Sequence, residues 1–148
     1  MKNKLRDILV VIGWTASISL MTIIIEYSKP PRLGSYSVAF DAYRLIILVM
    51  SFLFGMFLVD LVKILYSSIG TIILSTVISV MYTALYDLYV LGLGKYFSEV
   101  APGWEWEWVT FLAFLRIFHK TFPVVAILVL IGGMIGGVVS DWLWPHRG

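Results

Sequence analysis

The stretch PVVAILVLIGGMIGGVVSDWLW, residues 123–144, decides the class of fold. It is free of polar side chains except for Ser140 and Asp141 near its end and the indoles that follow. A helix rising ~1.5 Å per residue crosses the ~30 Å hydrocarbon core of a bilayer in about 20 residues. Because no water reaches that core, every backbone N–H and C=O must be bonded within the segment. The stretch therefore predicts a transmembrane helix.

Three further apolar stretches of similar length precede it. They cover residues 8–25, 45–66 and 69–92. The second and third are separated only by Tyr66, Ser67 and Ser68, which predicts a tight antiparallel hairpin at that point. The sequence thus predicts an all-α fold, a polytopic integral membrane bundle of four transmembrane helices that forms a single domain over residues 1–148.

The composition agrees with a lipid environment. Hydrophobic residues make up 60% of the chain and charged residues 14%, and the mean hydropathy is +0.94. Soluble domains carry roughly 45–50% apolar and about 25% charged residues. A soluble chain of this size could not bury so much apolar surface. We therefore expect a multi-pass protein of the cell membrane whose partners are the lipid bilayer and other membrane subunits or copies of itself.

The same counts disfavour other partners and cofactors. The formal net charge of +2 is too small, and the charges too scattered, for nucleic-acid binding. The chain has no cysteine, which excludes thiolate zinc sites and iron–sulfur clusters, and it has only two histidines. We expect neither a metal nor a cofactor.

The N-terminus has the basic start and apolar run of a signal peptide. Lys2, Lys4 and Arg6 precede the first apolar stretch, but no small-residue cleavage site follows it. We interpret residues 8–25 as the first span. The basic residues beside it favour an orientation with both termini in the cytoplasm.

The residues before the last span predict an amphipathic helix. Apolar residues recur at helical spacing over residues 104–120, with acidic residues at the start and basic residues at the end, as the helix dipole favours. We expect this helix to lie in the membrane interface. The alternative is a single kinked helix running from Trp106 to Trp144. In either case the side chains expected to contact lipid or a partner are Trp104, Trp106, Trp108, Arg116, His119 and Lys120.

Small residues in the last span form two interleaved helical faces. Gly132, Gly136 and Ser140 make one face, and Gly133, Gly137 and Asp141 make the other. In lipid, helices associate where small residues let their backbones approach closely. The two faces predict either packing within one bundle or docking of a second subunit on one of them.

Charged residues within the spans are candidates for function, because a charge in the bilayer is costly. Asp60 and Lys63 are neighbours at i and i+3 on the second predicted span, where they form either a local ion pair or part of a proton or cation path. Asp87 is predicted near the opposite surface, paired with Arg44. Asp60 and Asp87 are expected at different depths, and no pair of carboxylates is expected to share a depth in a way that would suggest metal-assisted hydrolysis.

A polar stripe follows the third predicted span. Its members recur every four residues: Thr71, Ser75, Ser79, Thr83 and Asp87. Hydroxyl groups in membrane helices bond their own helix or a neighbouring one. The stripe therefore predicts a packing seam or, alternatively, a hydroxyl-lined path that ends at Asp87.

No catalytic signature accompanies these features. The sequence contains no H-E-x-x-H, G-x-S-x-G or P-loop motif and no T-V-G-Y-G filter. Three functions stay open, and one of them is a lipid-modifying enzyme that works at Arg116, His119 and Lys120. The preferred one is a non-catalytic subunit of a larger integral membrane complex. The alternative is a small homo-oligomeric transporter or channel for protons, cations or a solute, built on Asp60, Lys63 and the polar stripe.

Overall fold

The structure is a computed structural model that describes residues 2–28, 42–58 and 60–144. All regular structure in these ranges is helical. The elements are α1 (Lys2–Ser28), α2 (Ala42–Phe57), α3 (Leu61–Tyr89), α4 (Leu93–Val100), α5 (Glu105–Lys120), a π-helical segment (Thr121–Val125) and α6 (Ala126–Leu143).

Three of these helical regions are long and apolar enough to cross a bilayer. They are Lys4–Tyr27 in α1, Leu61–Tyr89, which is α3, and Pro123–Leu143, which contains α6. Helix α2 is apolar but has only 16 residues, a length of about 24 Å at ~1.5 Å per residue. The described chain is thus a helical bundle of the membrane class.

The turn between α2 and α3 lies earlier than the sequence predicted. Helix α3 runs without interruption through Tyr66, Ser67 and Ser68, where the hairpin was expected. The chain reverses instead near Asp60, whose side chain accepts a hydrogen bond from the backbone N–H of Val62 over 2.9 Å and so caps α3. Because a carboxylate at this position satisfies an otherwise unbonded N–H, it marks a helix start inside a continuous apolar run.

Four of the helices form two parallel pairs, α1 with α3 and α2 with α6. Helices α1 and α3 run parallel, since Asp7 lies beside Lys63 at one end and Tyr27 lies beside Tyr86 at the other. Helix α6 runs parallel to α2 and packs closely against it, and its Ser140 donates a hydrogen bond to the carbonyl oxygen of Met56 over 2.8 Å. These two pairs pack together into one bundle.

Trp14 occupies the centre of this bundle. Its indole is fully buried and donates a hydrogen bond to Ser51 over 3.1 Å. The ring also stacks on Phe54 with centroids 6.1 Å apart. The indole therefore joins α1 to α2, and its polar N–H is satisfied, as a buried indole requires. Around it lies the larger apolar core, which includes Ile18, Ile47, Leu58, Ile64, Ile72 and Val129.

Helical conformation is continuous from Glu105 to Leu143, which matches the kinked-helix alternative. The π-helical segment contains Pro123, which lacks an N–H and interrupts the regular ladder. Ahead of it, α5 packs along α3 through the small, buried side chain of Ala113, which meets Ala84 in a second apolar core. Helix α5 thus packs on α3 and continues into α6, and its position in the membrane interface stays a prediction.

Candidate functional site

A cluster of three charged side chains joins α1, α3 and α5. Arg116 donates a hydrogen bond from Nη1 to Oδ2 of Asp87 over 2.6 Å. The same guanidinium donates from Nε to Oε1 of Glu26 over 2.8 Å, and its Nη2 contacts that oxygen as well. We call Glu26, Asp87 and Arg116 the ionic cluster.

The two carboxylates of the ionic cluster are withdrawn from the surface. The side chains of Glu26 and Asp87 are each 2% exposed, whereas that of Arg116 is 41% exposed. A buried carboxylate is stable only when it is paired and hydrogen-bonded. Arg116 provides that pairing while its aliphatic stem reaches outward along α5. The second oxygen of Asp87, Oδ1, is buried and has no hydrogen-bond partner among the described residues.

Tyrosine rings surround the ionic cluster. Tyr27 on α1 lies 4.7 Å from Tyr86 and 6.4 Å from Tyr82 between ring centroids. Tyr82 and Tyr86 are themselves stacked, 6.3 Å apart. Tyrosine favours the boundary between lipid and water, because its ring is apolar and its hydroxyl is polar. The three rings therefore place the ionic cluster near one surface of the apolar bundle.

The ionic cluster differs from what the sequence predicted for Asp87. Arg44 was predicted as its partner, and the cation that the structure places on Asp87 is Arg116. Two carboxylates also share one depth, because Glu26 and Asp87 meet at the same guanidinium. The sequence offered a signal for this. Glu26 ends an apolar helix, and Arg116 is the first basic residue after Lys95, inside an otherwise apolar run.

Asp60 and Lys63 lie at the opposite end of the bundle and are exposed. Asp60 caps α3, as described above, and Lys63 pairs with Asp7 of α1 over 3.4 Å. Both were predicted inside the second span, because the hairpin was placed six residues too late. The structure therefore puts both residues at a surface of the bundle. Lys63 lies 24 residues before Asp87 on α3, a distance of about 36 Å along the helix.

The polar stripe of α3 lies entirely inside the bundle. All five members are buried: Thr71, Ser75, Ser79, Thr83 and Asp87. Ser79 donates to the carbonyl oxygen of Ser19 on α1 over 3.5 Å, and Ser75 donates within its own helix to the carbonyl oxygen of Ile72 over 3.1 Å. Asp87, the last member of the stripe, accepts a hydrogen bond from Arg116 on α5. The contacts made by Ser79 and Asp87 thus join α3 to neighbouring helices.

Both glycine faces of α6 are covered within the chain. A Cβ atom on Gly132 would lie 2.8 Å from the carbonyl oxygen of Leu48, and one on Gly136 would overlap the carbonyl oxygen of Phe52. On the other face, a Cβ on Gly133 would lie 2.8 Å from the ring of Trp14, and one on Gly137 would overlap Ile64. One face therefore receives α2 and the other receives α1 and α3.

The remaining predicted contact residues lie along α5. Trp104, Trp106 and Trp108 are exposed near its start, and His119 is exposed near its end. Arg116, predicted to contact lipid or a partner, belongs to the ionic cluster. The side chain of Lys120 lies outside the described part of the structure.

The described residues contain no group of three or more side chains able to hold a metal ion. The ionic cluster can hold α1, α3 and α5 in a fixed alignment through its charged hydrogen bonds. No family model, curated protein or solved structure matches the chain.

Proposed function

We propose that the chain is a non-catalytic subunit of a larger integral membrane complex. In this proposal it crosses the cell membrane four times, with α2 as a short fourth crossing, and both termini lie in the cytoplasm. The parallel packing of α2 and α6 supports the fourth crossing, because α2 then shares the depth of a helix long enough to span.

The observation that carries the proposal is a contrast between outward-facing surfaces. On α1, α3 and α6 the exposed large side chains are mostly aliphatic, as lipid-facing residues are. On α5 the outward side chains are mostly aromatic: Trp106, Trp108, Phe111, Phe114 and Phe118, with Leu112 and Leu115. Aromatic residues are enriched in protein interfaces and supply much of their binding energy. The aromatic side of α5 is thus the surface best suited to a partner.

The ionic cluster supports this assignment, because it fixes the rotation of α5. Arg116 points toward Glu26 and Asp87, and Ala113 packs on the same side of the helix against α3. Phe114 and Phe118, one turn apart and stacked with centroids 5.4 Å apart, are therefore held on the opposite side. A rotation of α5 that withdrew these rings would break the buried ion pairs.

A photoreactive phenylalanine analogue at Phe114 tests the proposal in native membranes. We expect an adduct with one chain of different mass. The matched control is the same analogue at Ile73, an exposed position of α3, where we expect adducts with lipid only. If the Phe114 probe also labels lipid alone, the proposal fails. An adduct with a second copy of the chain would favour the alternative below.

The alternative is a small homo-oligomeric transporter or channel, and one observation favours it. Oδ1 of Asp87 is buried without a hydrogen-bond partner in the described residues, at the end of the polar stripe. An oxygen of this kind can bind a passing proton or cation. Flux into proteoliposomes that is abolished by Asp87→Asn, and unchanged by Asp141→Asn at an exposed position of α6, would support transport.

A further inference from the structure

The start of α5 carries an open groove lined by aromatic rings and one carboxylate. Trp104, Glu107, Trp108 and Phe111 line this groove, which is wide open to the outside and has a volume of about 540 Å³. The rings of Trp108 and Phe111 stand almost perpendicular, with centroids 6.4 Å apart and an angle of 84° between their planes. Because these residues recur at three- and four-residue spacing, they share one side of the helix.

This combination of groups is suited to an organic cation. The face of an aromatic ring attracts a cation electrostatically, and tryptophan does so most strongly. Glu107 adds a formal negative charge to the same groove. No lysine, arginine or histidine occurs between Lys95 and Arg116, so the local sequence provides no competing cation. The groove is therefore complementary to an alkylammonium group.

The neighbouring carboxylate of Glu105 has a different role. It accepts a hydrogen bond from the backbone N–H of Gly103 over 3.1 Å, at the turn that precedes α5. The backbone amides of Glu105 itself and of Gly103 lower the pKa of this carboxyl group. Glu105 thus stabilises the turn, whereas Glu107 lines the groove. The two residues have equal charge and lie two positions apart, which makes them a matched pair.

The position of the groove indicates where its ligand comes from. Trp108 lies eight residues before Arg116, or about 12 Å farther along the helix from the ionic cluster. Exposed Tyr89 and Tyr96 lie at the same end of the bundle, at the end of α3 and in α4. Exposed tyrosine and tryptophan side chains gather at the depth of lipid headgroups. The cations concentrated at that depth are the ammonium groups of phospholipids.

We propose that this groove binds the ammonium group of a phospholipid headgroup, with Trp104, Trp108 and Phe111 around the cation and Glu107 as its counter-ion. The inference goes beyond the proposed subunit function and narrows its partner surface, because Trp108 and Phe111 then contact lipid. It assigns the start of α5 to lipid and leaves Phe114 and Phe118 to a protein partner.

Native mass spectrometry of the full chain in detergent tests the proposal, with short-chain phosphatidylcholine and phosphatidylglycerol as probes. We expect the chain to bind phosphatidylcholine about fivefold more tightly, because cation–π attraction at a partly exposed site contributes on this scale. Glu107→Gln and Trp108→Leu should each remove the preference. Glu105→Gln, and Trp142→Leu at the far end of the bundle, should preserve it.

Three outcomes would overturn the proposal. One is equal binding of the two lipids by the native chain. Another is a preference that survives Glu107→Gln. The third is binding of tetramethylammonium as tight as that of phosphatidylcholine, which would assign the groove to a soluble cation. Circular dichroism of each variant checks that its helices are intact, as expected because none of the substituted positions is buried.

Discussion

Arg116 on α5 donates a 2.6 Å hydrogen bond to Asp87 on α3, across 29 positions of the sequence. The bond joins the helix that carries the aromatic surface to the end of the buried polar stripe. With Glu26 on the same guanidinium, three helices meet at one ionic cluster. The stability of this arrangement is accessible to experiment.

Replacement of Arg116 by methionine should strongly destabilise the bundle. The substitution keeps an unbranched apolar stem but removes the guanidinium group, and it leaves Asp87 and Glu26 buried without this cation. Removal of one partner from a buried ion pair costs about 3–5 kcal/mol, and the partial exposure of Arg116 places the expected loss near the lower figure, about 3 kcal/mol. Denaturant unfolding in mild detergent, followed by tryptophan fluorescence, measures it.

The control for this variant is Arg6→Met, which removes a pair with Asp7 in which the arginine side chain is 54% exposed. Exposed pairs contribute about 0–1 kcal/mol, so little change is expected. Equal losses in the two variants would show that the ionic cluster has no special role in stability.

Alanine at Gly136 should separate α6 from α2. A Cβ atom at this position overlaps the carbonyl oxygen of Phe52, and a backbone atom cannot move aside as the tip of a side chain can. Overpacking of this kind costs about 1–3 kcal/mol. The same unfolding experiment reports the loss.

Gly70 supplies a matched control in the middle of α3. A Cβ atom there has open space around it, so Gly70→Ala should stabilise the protein by up to about 1 kcal/mol through helix propensity. If Gly136→Ala were as stable as Gly70→Ala, the close contact between α6 and α2 would be refuted.

Substitutions at Asp60 distinguish a helix cap from a transport group. Asparagine caps a helix about as well as aspartate, whereas alanine costs about 1 kcal/mol. We therefore expect Asp60→Ala to lower the free energy of unfolding and Asp60→Asn to leave it almost unchanged, because the accepted bond from Val62 is retained. In proteoliposomes, a loss of ion flux in Asp60→Asn alone would contradict the assignment of Asp60 to capping.

The sequence predicted the class of fold because its high apolar and low charged content indicates that most side chains face lipid. In lipid, the backbone N–H and C=O groups of an apolar run of about 20 residues can all be hydrogen-bonded within the run only if it is a helix. It misplaced the turn before α3, because the run from residue 45 to 66 continues through the reversal of the chain at Asp60. A helix cap depends on a single residue, whereas hydropathy is an average over many residues. One polar residue within an apolar run therefore does not reveal the start of a new helix.

The ionic cluster could be predicted only in part. Asp87 was expected to need a cation, on the physical ground that a charge in the bilayer must be paired. The identity of that cation depends on which helices are neighbours. Because α5 was expected in the interface, Arg116 was predicted to contact lipid or a partner. The structure places α5 beside α3, where Arg116 pairs with Asp87.

Single-cysteine labelling should establish how often the chain crosses the membrane. The chain has no cysteine of its own, so each introduced thiol is labelled alone. Four crossings predict that Arg6→Cys, Leu61→Cys and Trp142→Cys react with a membrane-impermeant maleimide from one side, and that Ala42→Cys and Glu99→Cys react from the other. All five positions are exposed. Ala42 is the first residue of α2, and Leu61 lies just after the end of α2. The pair formed by Ala42 and Leu61 is decisive, because only a crossing by α2 separates them. Reaction of both from the same side would leave three crossings and would rule out the four-span proposal.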